Sequence, residues 1–241
     1  LLTNSRLFSQ INDDFLDGDF TNLPTWSGTN VDFIVNPSLE LQLNNTIAST
    51  SYLSTAHGLF TLDNKEWKFI TRQTFSPSSS NYGRVFLTAD NADLTLVQNG
   101  FYIQLGEAGT TDAVRLFKMV SGVSTELLAG PAGQIANSFS AGIRVVRDNG
   151  ANWSLLIDGT GGTSYTLAGT VNEPANLLGT HFGAMQVYTA SNANKYFYDN
   201  IYVGDEIVDL SPPTLLSATA INANLIDVLF DEALDQVTAE T

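Results

Sequence analysis

The sequence has no cysteine, only two histidines and few charged residues. Without cysteine, the chain cannot form disulfides, use a catalytic thiol or bind metal through thiolates. Charged residues make up 15% of the 241 residues, against about 25% in average globular chains. Much of the polar surface must therefore come from Thr, Ser, Asn and Gln. That composition favours β structure, where Thr is common and Lys and Glu are depleted.

Positive charge is the scarcer sign, since 10 Lys and Arg face 25 Asp and Glu and leave a net charge of −15. An acidic surface repels phosphate backbones, so we expect no nucleic-acid partner. It is compatible with neutral glycans or with cation-rich surroundings. The sequence also has no run of 18 apolar residues, so we expect no membrane insertion.

Familiar catalytic motifs are missing. There is no G-x-S-x-G, no H-E-x-x-H, no P-loop and no dinucleotide fingerprint. We therefore expect structural or surface roles for His57 and His181. Glu107 and Asp112, which flank a glycine-rich turn, are the most suitable carboxylate pair for a glycosidase. A polar hairpin loop explains the same pair, and Glu66, beside Trp67, is interpreted in the same way.

Short runs rich in Val, Ile, Phe, Tyr and Thr recur between Gly, Asn, Asp, Ser and Pro, as in β proteins. Several of them alternate, so that Trp153, Leu155 and Ile157 share one face. About a dozen strands with turns between them indicate two stacked antiparallel sheets. The predicted strands are 31–35, 39–43, 51–55, 67–74, 84–88, 101–105, 113–119, 124–129, 141–147, 152–158, 164–168, 180–188 and 195–203.

The sequence predicts four segments. Residues 1–11 are an N-terminal arm or the remnant of a signal peptide, and 12–209 form the main β domain. Residues 210–214 are a linker, because two consecutive prolines favour extended chain. Residues 215–241 contain two strand-like runs, too few to bury a core. We therefore expect them to begin a second β domain, with further domains after residue 241.

Five segments carry a resemblance to a known family: Ile11–Gly28, Phe75–Tyr82, Leu105–Gly109, Val146–Asp148 and Tyr198–Gly204. They resemble the concanavalin A-like (laminin-G-like) domain of secreted surface proteins of Bacteroidetes, and the chain from Ser211 onward resembles the start of a bacterial Ig-like domain. The resemblance implies an all-β, two-sheet antiparallel jelly-roll sandwich in a secreted or cell-surface protein. Because this fold serves both lectins and glycosidases, it does not determine the function.

In related jelly-roll domains, an Asp in the last strand helps to hold a structural Ca²⁺, and the chain start supplies other ligands. The resemblance therefore implies a calcium site formed by Asp199 with Asp17 or Asp19. Strict alternation would place Asp199 on one face with three apolar residues, where an unpaired carboxylate is costly. The alternative is that Asp199 accepts backbone hydrogen bonds and that the N-terminal acids are solvated. Its predicted apolar neighbours are Phe197, Ile201 and Val203.

The same alternation predicts a polar and aromatic row on the opposite face, formed by Tyr196, Tyr198, Asn200 and Tyr202. Tyrosine rings can stack on sugars, and Asn can hydrogen-bond sugar hydroxyls, so this row is the predicted ligand-binding site. The alternative is that these rings pack within the sandwich. We expect Trp26, Trp67 and Trp153 to pack in the core or at its rim.

These observations favour a non-catalytic binding or adhesion module for a glycan or a surface protein, with a structural calcium ion. No catalytic residue is assigned. One alternative is a polysaccharide-degrading jelly-roll enzyme with an unfamiliar active site. The other is a structural spacer or secretion-cargo domain without a ligand.

Overall fold

The computed structural model describes residues 10–208 and 212–231. The chain divides into two compact units, Leu1–Glu206 and Ile207–Thr241. The described part of the first unit is built from strands, apart from two short 3-10 turns at Asn30–Asp32 and Ala190–Asn192. Each predicted strand of this unit overlaps an observed one. The all-β prediction is therefore confirmed.

The strands of the first unit are numbered in chain order. They are β1 (Ile11–Asp13), β2 (Ser27–Gly28), β3 (Phe33–Val35), β4 (Leu41–Leu43), β5 (Ser49–Ala56), β6 (Lys65–Gln73), β7 (Tyr82–Ala89), β8 (Gly100–Leu105), β9 (Val114–Val120), β10 (Val123–Ala129), β11 (Phe139–Arg147), β12 (Asn152–Asp158), β13 (Thr166–Asn172), β14 (His181–Tyr188) and β15 (Tyr196–Asp205).

These strands form two antiparallel sheets. The eight-stranded sheet has the order β13-β12-β11-β6-β15-β4-β3, with β1 pairing to β15, and the seven-stranded sheet has the order β10-β9-β8-β7-β14-β5-β2. Neighbours in a sheet are often distant in the chain, as in the pairing of β14 with both β5 and β7. Such crossings between the sheets produce the jelly-roll sandwich, and this prediction is confirmed.

The core lies between the inner faces of the sheets. Trp153 stacks on Trp67 with ring centroids 5.5 Å apart, and on the other side it meets Phe101 at 4.4 Å. Trp26 is also buried and contacts Phe182 edge to face. The predicted packing role of the tryptophans is confirmed. It follows from the alternation of the strands, which turns every second side chain inward.

The predicted alternation of the last strand is wrong beyond its middle. Asp199 lies opposite Ile70 of β6, whereas Tyr202 lies opposite Lys68, so β15 holds one residue more than its partner. Asn200 is at the bulge with a φ of 49°. A β-bulge of this kind reverses which side the following residues face.

As a result, the inner face of β15 carries four residues that the sequence assigned to opposite faces. Tyr196, Tyr198, Ile201 and Val203 all belong to the core between the sheets. Phe197 lies on the outer face, beneath the guanidinium of Arg72. The bulge therefore gives the strand a continuous apolar inner face despite a sequence that does not alternate regularly.

The second unit contains one described hairpin, Leu215–Asn222 (β16) paired with Leu225–Phe230 (β17). Both strands were predicted, and their apolar side chains are largely exposed. The assignment of this unit to an Ig-like domain stays a prediction. The expectations for residues 1–9, and for parts of the linker and the tail, lie outside the described residues. No helix in the described ranges is long and apolar enough to span a membrane.

Candidate functional site

The strands β1 and β15 lie side by side, as the calcium hypothesis requires. In β1, Ile11 is opposite Val203 and Asp13 is opposite Ile201. The carboxylate of Asp13 accepts hydrogen bonds from the Trp26 indole at 2.7 Å and from the backbone N–H of Phe15 at 3.0 Å. Burial nevertheless raises the pKa of Asp13 to about 6. Asp13 therefore anchors the first loop to the core.

Asp199 is on the outer face of the eight-stranded sheet and is half-buried, rather than being enclosed among apolar residues. Burial raises the pKa of Asp199, a hydrogen bond from the Asn200 backbone opposes this, and the carboxylates of Glu40 and Asp14 raise it further. Asp14 is thus the N-terminal acid whose charge reaches Asp199. The sequence analysis did not select it.

The carboxylates of the two predicted N-terminal ligands, Asp17 and Asp19, already accept hydrogen bonds within their own turns. Asp17 accepts a hydrogen bond from the backbone N–H of Asp19, and Asp19 accepts hydrogen bonds from Thr21 and Asn22. In residues 10–208 and 212–231, no three His, Asp or Glu side chains lie close enough together to hold a metal ion. Since Ca²⁺ takes six to eight oxygens, backbone carbonyls and water would have to supply most of them at Asp199. Calcium binding by Asp199, Asp17 and Asp19 stays a prediction.

The predicted tyrosine row is divided between two faces. Tyr196 and Tyr198 are in the core, where the Tyr198 hydroxyl accepts a hydrogen bond from buried Gln186 and burial raises its pKa to about 12. Tyr202 is on the outer face under Lys68, and its hydroxyl donates to the carbonyl of Asp205. Asn200 is exposed. The four residues therefore do not form one binding surface.

The candidate carboxylates of the glycine-rich turn make structural contacts. Asp112 is buried and accepts the backbone N–H of Glu107 at 2.7 Å, while the Glu107 carboxylate forms an ion pair with Arg115. The Glu66 side chain is also buried, between Lys68 and Arg144. A substrate could not reach Asp112 without moving this turn, so the structure gives the pair no glycosidase geometry.

The two histidines are neighbours at one end of the seven-stranded sheet. The backbone N–H of His57 donates to the carbonyl of Thr180, next to His181. Burial, together with the nearby His181 ring, lowers the pKa of His57 to about 4. His57 is therefore neutral at physiological pH, which agrees with a structural role.

A second group of aromatic residues covers the outer face of the seven-stranded sheet and is separate from the main core. Tyr102 of β8 stacks on Phe117 of β9, with centroids 5.1 Å apart and planes 5° from parallel, and it also contacts Phe86 at 5.3 Å. We call this surface the aromatic face and define it by Tyr52, Tyr82, Arg84, Tyr102, Gln104, Arg115, Phe117 and Met185.

Three polar side chains and one methionine form a single row across the middle of the aromatic face. Met185, Arg84, Gln104 and Arg115 lie opposite one another on β14, β7, β8 and β9. The Arg84 Nε donates to the Gln104 side-chain oxygen at 3.2 Å. The Arg84 guanidinium also lies 5.0 Å from the ring centroid of Tyr102. Arginine over an aromatic ring is stabilised by cation–π attraction.

The loop between β7 and β8 covers one end of this face. Leu94 and Val97 of the loop are buried against Phe86 and Met185. The loop is fixed by Asp90, which accepts the backbone N–H of Gln98 at 2.9 Å. The other end, with Arg84, Gln104 and half-buried Phe117, stays open to solvent. The aromatic face is therefore a preformed surface with apolar rings beside charged and amide groups.

The sequence analysis did not identify this face. The strand pairing that aligns Gln104 with Arg84 and Arg115 joins distant segments of the chain. The signal in the sequence was the presence of two arginines, Arg84 and Arg115, in predicted strands of a chain with few basic residues. That signal gains meaning only when the strand order is known.

No protein-family model matches the chain, and no curated protein sequence matches it. Solved structures do. The VIP36 exoplasmic/lumenal domain in its Ca²⁺/Man2-bound form is 12% identical, with 85% of this chain and 90% of that chain covered and a TM-score of 0.55. The Emp47p carbohydrate recognition domain is 13% identical, with 84% and 97% covered and a TM-score of 0.56.

The metal-free Emp46p carbohydrate recognition domain is 11% identical, with 83% of this chain and 97% of that chain covered and a TM-score of 0.57. These domains are concanavalin A-like β-sandwiches. At such low identity, the likeness establishes the fold of this chain and not its ligand. The narrower resemblances, to surface proteins of Bacteroidetes and to an Ig-like domain, stay predictions.

Proposed function

We propose that this chain is an extracytoplasmic glycan-binding module and that the aromatic face is its binding surface. The observation that carries the proposal is the combination, on one outer sheet face, of the partly exposed Phe117 ring with the polar groups of Arg84 and Gln104. Sugar rings bury their C–H surfaces on aromatic rings and satisfy their hydroxyls with such groups.

The structural neighbours support the proposal. The VIP36 domain was solved with mannose-containing ligands, and the Emp46p and Emp47p domains are carbohydrate recognition domains. The location proposed here follows from the same neighbours, because the VIP36 domain is exoplasmic or lumenal. A non-catalytic role is also part of the proposal, since Glu107 pairs with Arg115 and Asp112 is buried.

The test is glycan-array screening of the full chain, followed by calorimetric titration of the best ligand. We expect Phe117→Ala to weaken binding about tenfold or more, because it removes the half-buried ring; base–aromatic stacking, a comparable contact, contributes about 1–3 kcal/mol per ring. The control is Asn200→Gly, at an exposed polar position on the other sheet that belonged to the first predicted site, because glycine tolerates the positive φ of this position. We expect this control to bind as the unmodified chain does.

Three results would contradict the proposal. If Asn200→Gly weakens binding and Phe117→Ala does not, the site lies on the eight-stranded sheet. If the array gives no ligand, the chain is better explained as a spacer or cargo domain. If oligosaccharide fragments accumulate during incubation with a polysaccharide, the chain is an enzyme.

A further inference from the structure

Arg84 differs from the other basic residues of the described chain. Nine of the 10 Lys and Arg lie in the described ranges, and seven of these form ion pairs with Asp or Glu. Only Arg84 and Lys195 do not. With 25 acidic residues available, an unpaired arginine at the centre of a sheet face is unexpected, because an acidic chain offers many partners.

The surroundings of Arg84 fix its guanidinium in place without neutralising it. Its Nε donates to Gln104, and the group lies 5.3 Å from the Tyr82 ring centroid and 5.0 Å from that of Tyr102. Neither terminal nitrogen has a hydrogen-bond partner in the described part of the chain, and neither is sealed from solvent. The planar end of the guanidinium is therefore held ready for a partner from outside.

The adjacent arginine provides a comparison within the same row. Arg115, beyond Gln104, is paired with both Glu107 and Glu126, so its charge is already compensated. Arg84 has an amide neighbour in place of a carboxylate. An amide orients the guanidinium by accepting one hydrogen bond and leaves its positive charge available. Two parallel N–H groups match the two oxygens of a carboxylate.

We infer that Arg84 binds the carboxylate of a uronic acid, so that the aromatic face recognises acidic rather than neutral glycans. The inference rests on the proposed glycan-binding function and names the ligand class. In the complex, the terminal nitrogens of Arg84 donate two hydrogen bonds to the carboxylate, while the sugar ring lies against the neighbouring aromatic side chains.

The net charge of −15 opposes an acidic ligand at long range but does not prevent this contact. Salt at 0.15 M screens exposed charges beyond about 8 Å, whereas a half-buried contact is screened much less. We therefore expect the affinity for a uronate oligosaccharide to rise, or to stay constant, between 20 mM and about 150 mM NaCl. A ligand bound by general positive charge would behave in the opposite way.

The test compares oligogalacturonate with the same oligosaccharide after methyl esterification, by calorimetric titration of the full chain. Esterification removes the charge and keeps the sugar, so we expect the ester to bind at least about tenfold more weakly than the free acid. Arg84→Gln should lose the preference for the free acid, and Arg84→Lys should be intermediate because lysine cannot form the paired hydrogen bonds. Lys195→Gln is the matched control, since it removes the other unpaired charge and should retain the preference.

The outcomes separate this inference from the proposed function. Equal affinity for the acid and its ester, with Phe117→Ala weakening both, would overturn the role of Arg84 and retain glycan binding. Stronger binding of a sulfated neutral glycan than of any uronate, abolished by Arg84→Gln, would overturn the carboxylate assignment. Absence of binding to every acidic and neutral glycan would overturn both proposals.

Discussion

Two aspartates near the first strand, Asp13 and Asp19, have pKa values that are shifted in opposite directions. Burial raises the pKa of Asp13 to about 6, although the Trp26 indole and the Phe15 backbone both donate to it. Hydrogen bonds from Asn22 and Thr21 lower the pKa of Asp19 on the exposed side of the loop. The two aspartates therefore have different roles: Asp13 anchors the chain to the core, and Asp19 shapes a turn.

This difference predicts how stability depends on pH. The folded chain binds the Asp13 proton more tightly than the unfolded chain does, so Asp13 makes the free energy of unfolding fall as pH rises from about 4 to about 6. We expect Asp13→Asn to remove this part of the slope. The measurement is urea unfolding at several pH values between 4 and 7.

Asp19→Asn is the control for that experiment. Because the folded-state pKa of Asp19 is lowered, its contribution is present above the unfolded pKa and is lost as pH falls through the folded one. This variant should leave the slope between pH 4 and 6 as it is in the unmodified chain. An unchanged slope in Asp13→Asn would contradict the role given to Asp13.

At the level of the element, the bulge in β15 decides which side chains enter the core. Asn200 adopts a φ of 49° at the bulge, and its backbone N–H donates to the Asp199 carboxylate. Asparagine tolerates this left-handed conformation better than most residues, and glycine tolerates it at no steric cost. The extra residue allows both Tyr198 and Ile201 to face inward.

We therefore expect substitutions at Asn200 to follow backbone conformation rather than loss of contacts. Asn200→Val should lower the free energy of unfolding by about 1–2 kcal/mol, because a β-branched residue is disfavoured at positive φ. Asn200→Gly should change it by less than about 0.5 kcal/mol. Equilibrium urea unfolding measures both, and equal destabilisation by Val and Gly would show that the side chain matters more than φ.

At the level of the whole molecule, the first and last strands of the larger unit meet where β1 pairs with β15. A calcium ion near Asp199 would join these two ends and bind only the folded chain. At a free concentration 100 times the dissociation constant, such a ligand stabilises a protein by about 2.7 kcal/mol. We expect the melting temperature to rise by several degrees in calcium and to fall in EDTA.

Two variants locate the ion if that shift is observed. Asp199→Asn should abolish the calcium-dependent rise, and Asp14→Asn should reduce it, because Asp14 is an N-terminal acid whose charge reaches Asp199. Asp148→Asn, at a partly exposed turn aspartate between β11 and β12, serves as the control. A melting temperature that is the same in calcium and in EDTA would remove the calcium hypothesis.

Local pattern in the sequence determined much of the fold. Alternating apolar residues placed Trp153, Leu155 and Ile157 in the core, because side chains in a strand alternate regularly between its two faces. The turn after Asp148 is also local in origin, since the Asp148 carboxylate accepts a hydrogen bond from the backbone N–H of Gly150, two residues further on.

Only the tertiary structure decided the faces of β15 and the composition of the aromatic face. The bulge depends on the pairing of β15 with β6, which lies far earlier in the chain, and no local pattern encodes that pairing. The row that joins Arg84 to Gln104 and Arg115 likewise depends on strand order. The sequence therefore determined which residues face inward along each regular strand, and long-range pairing determined which outward side chains became neighbours.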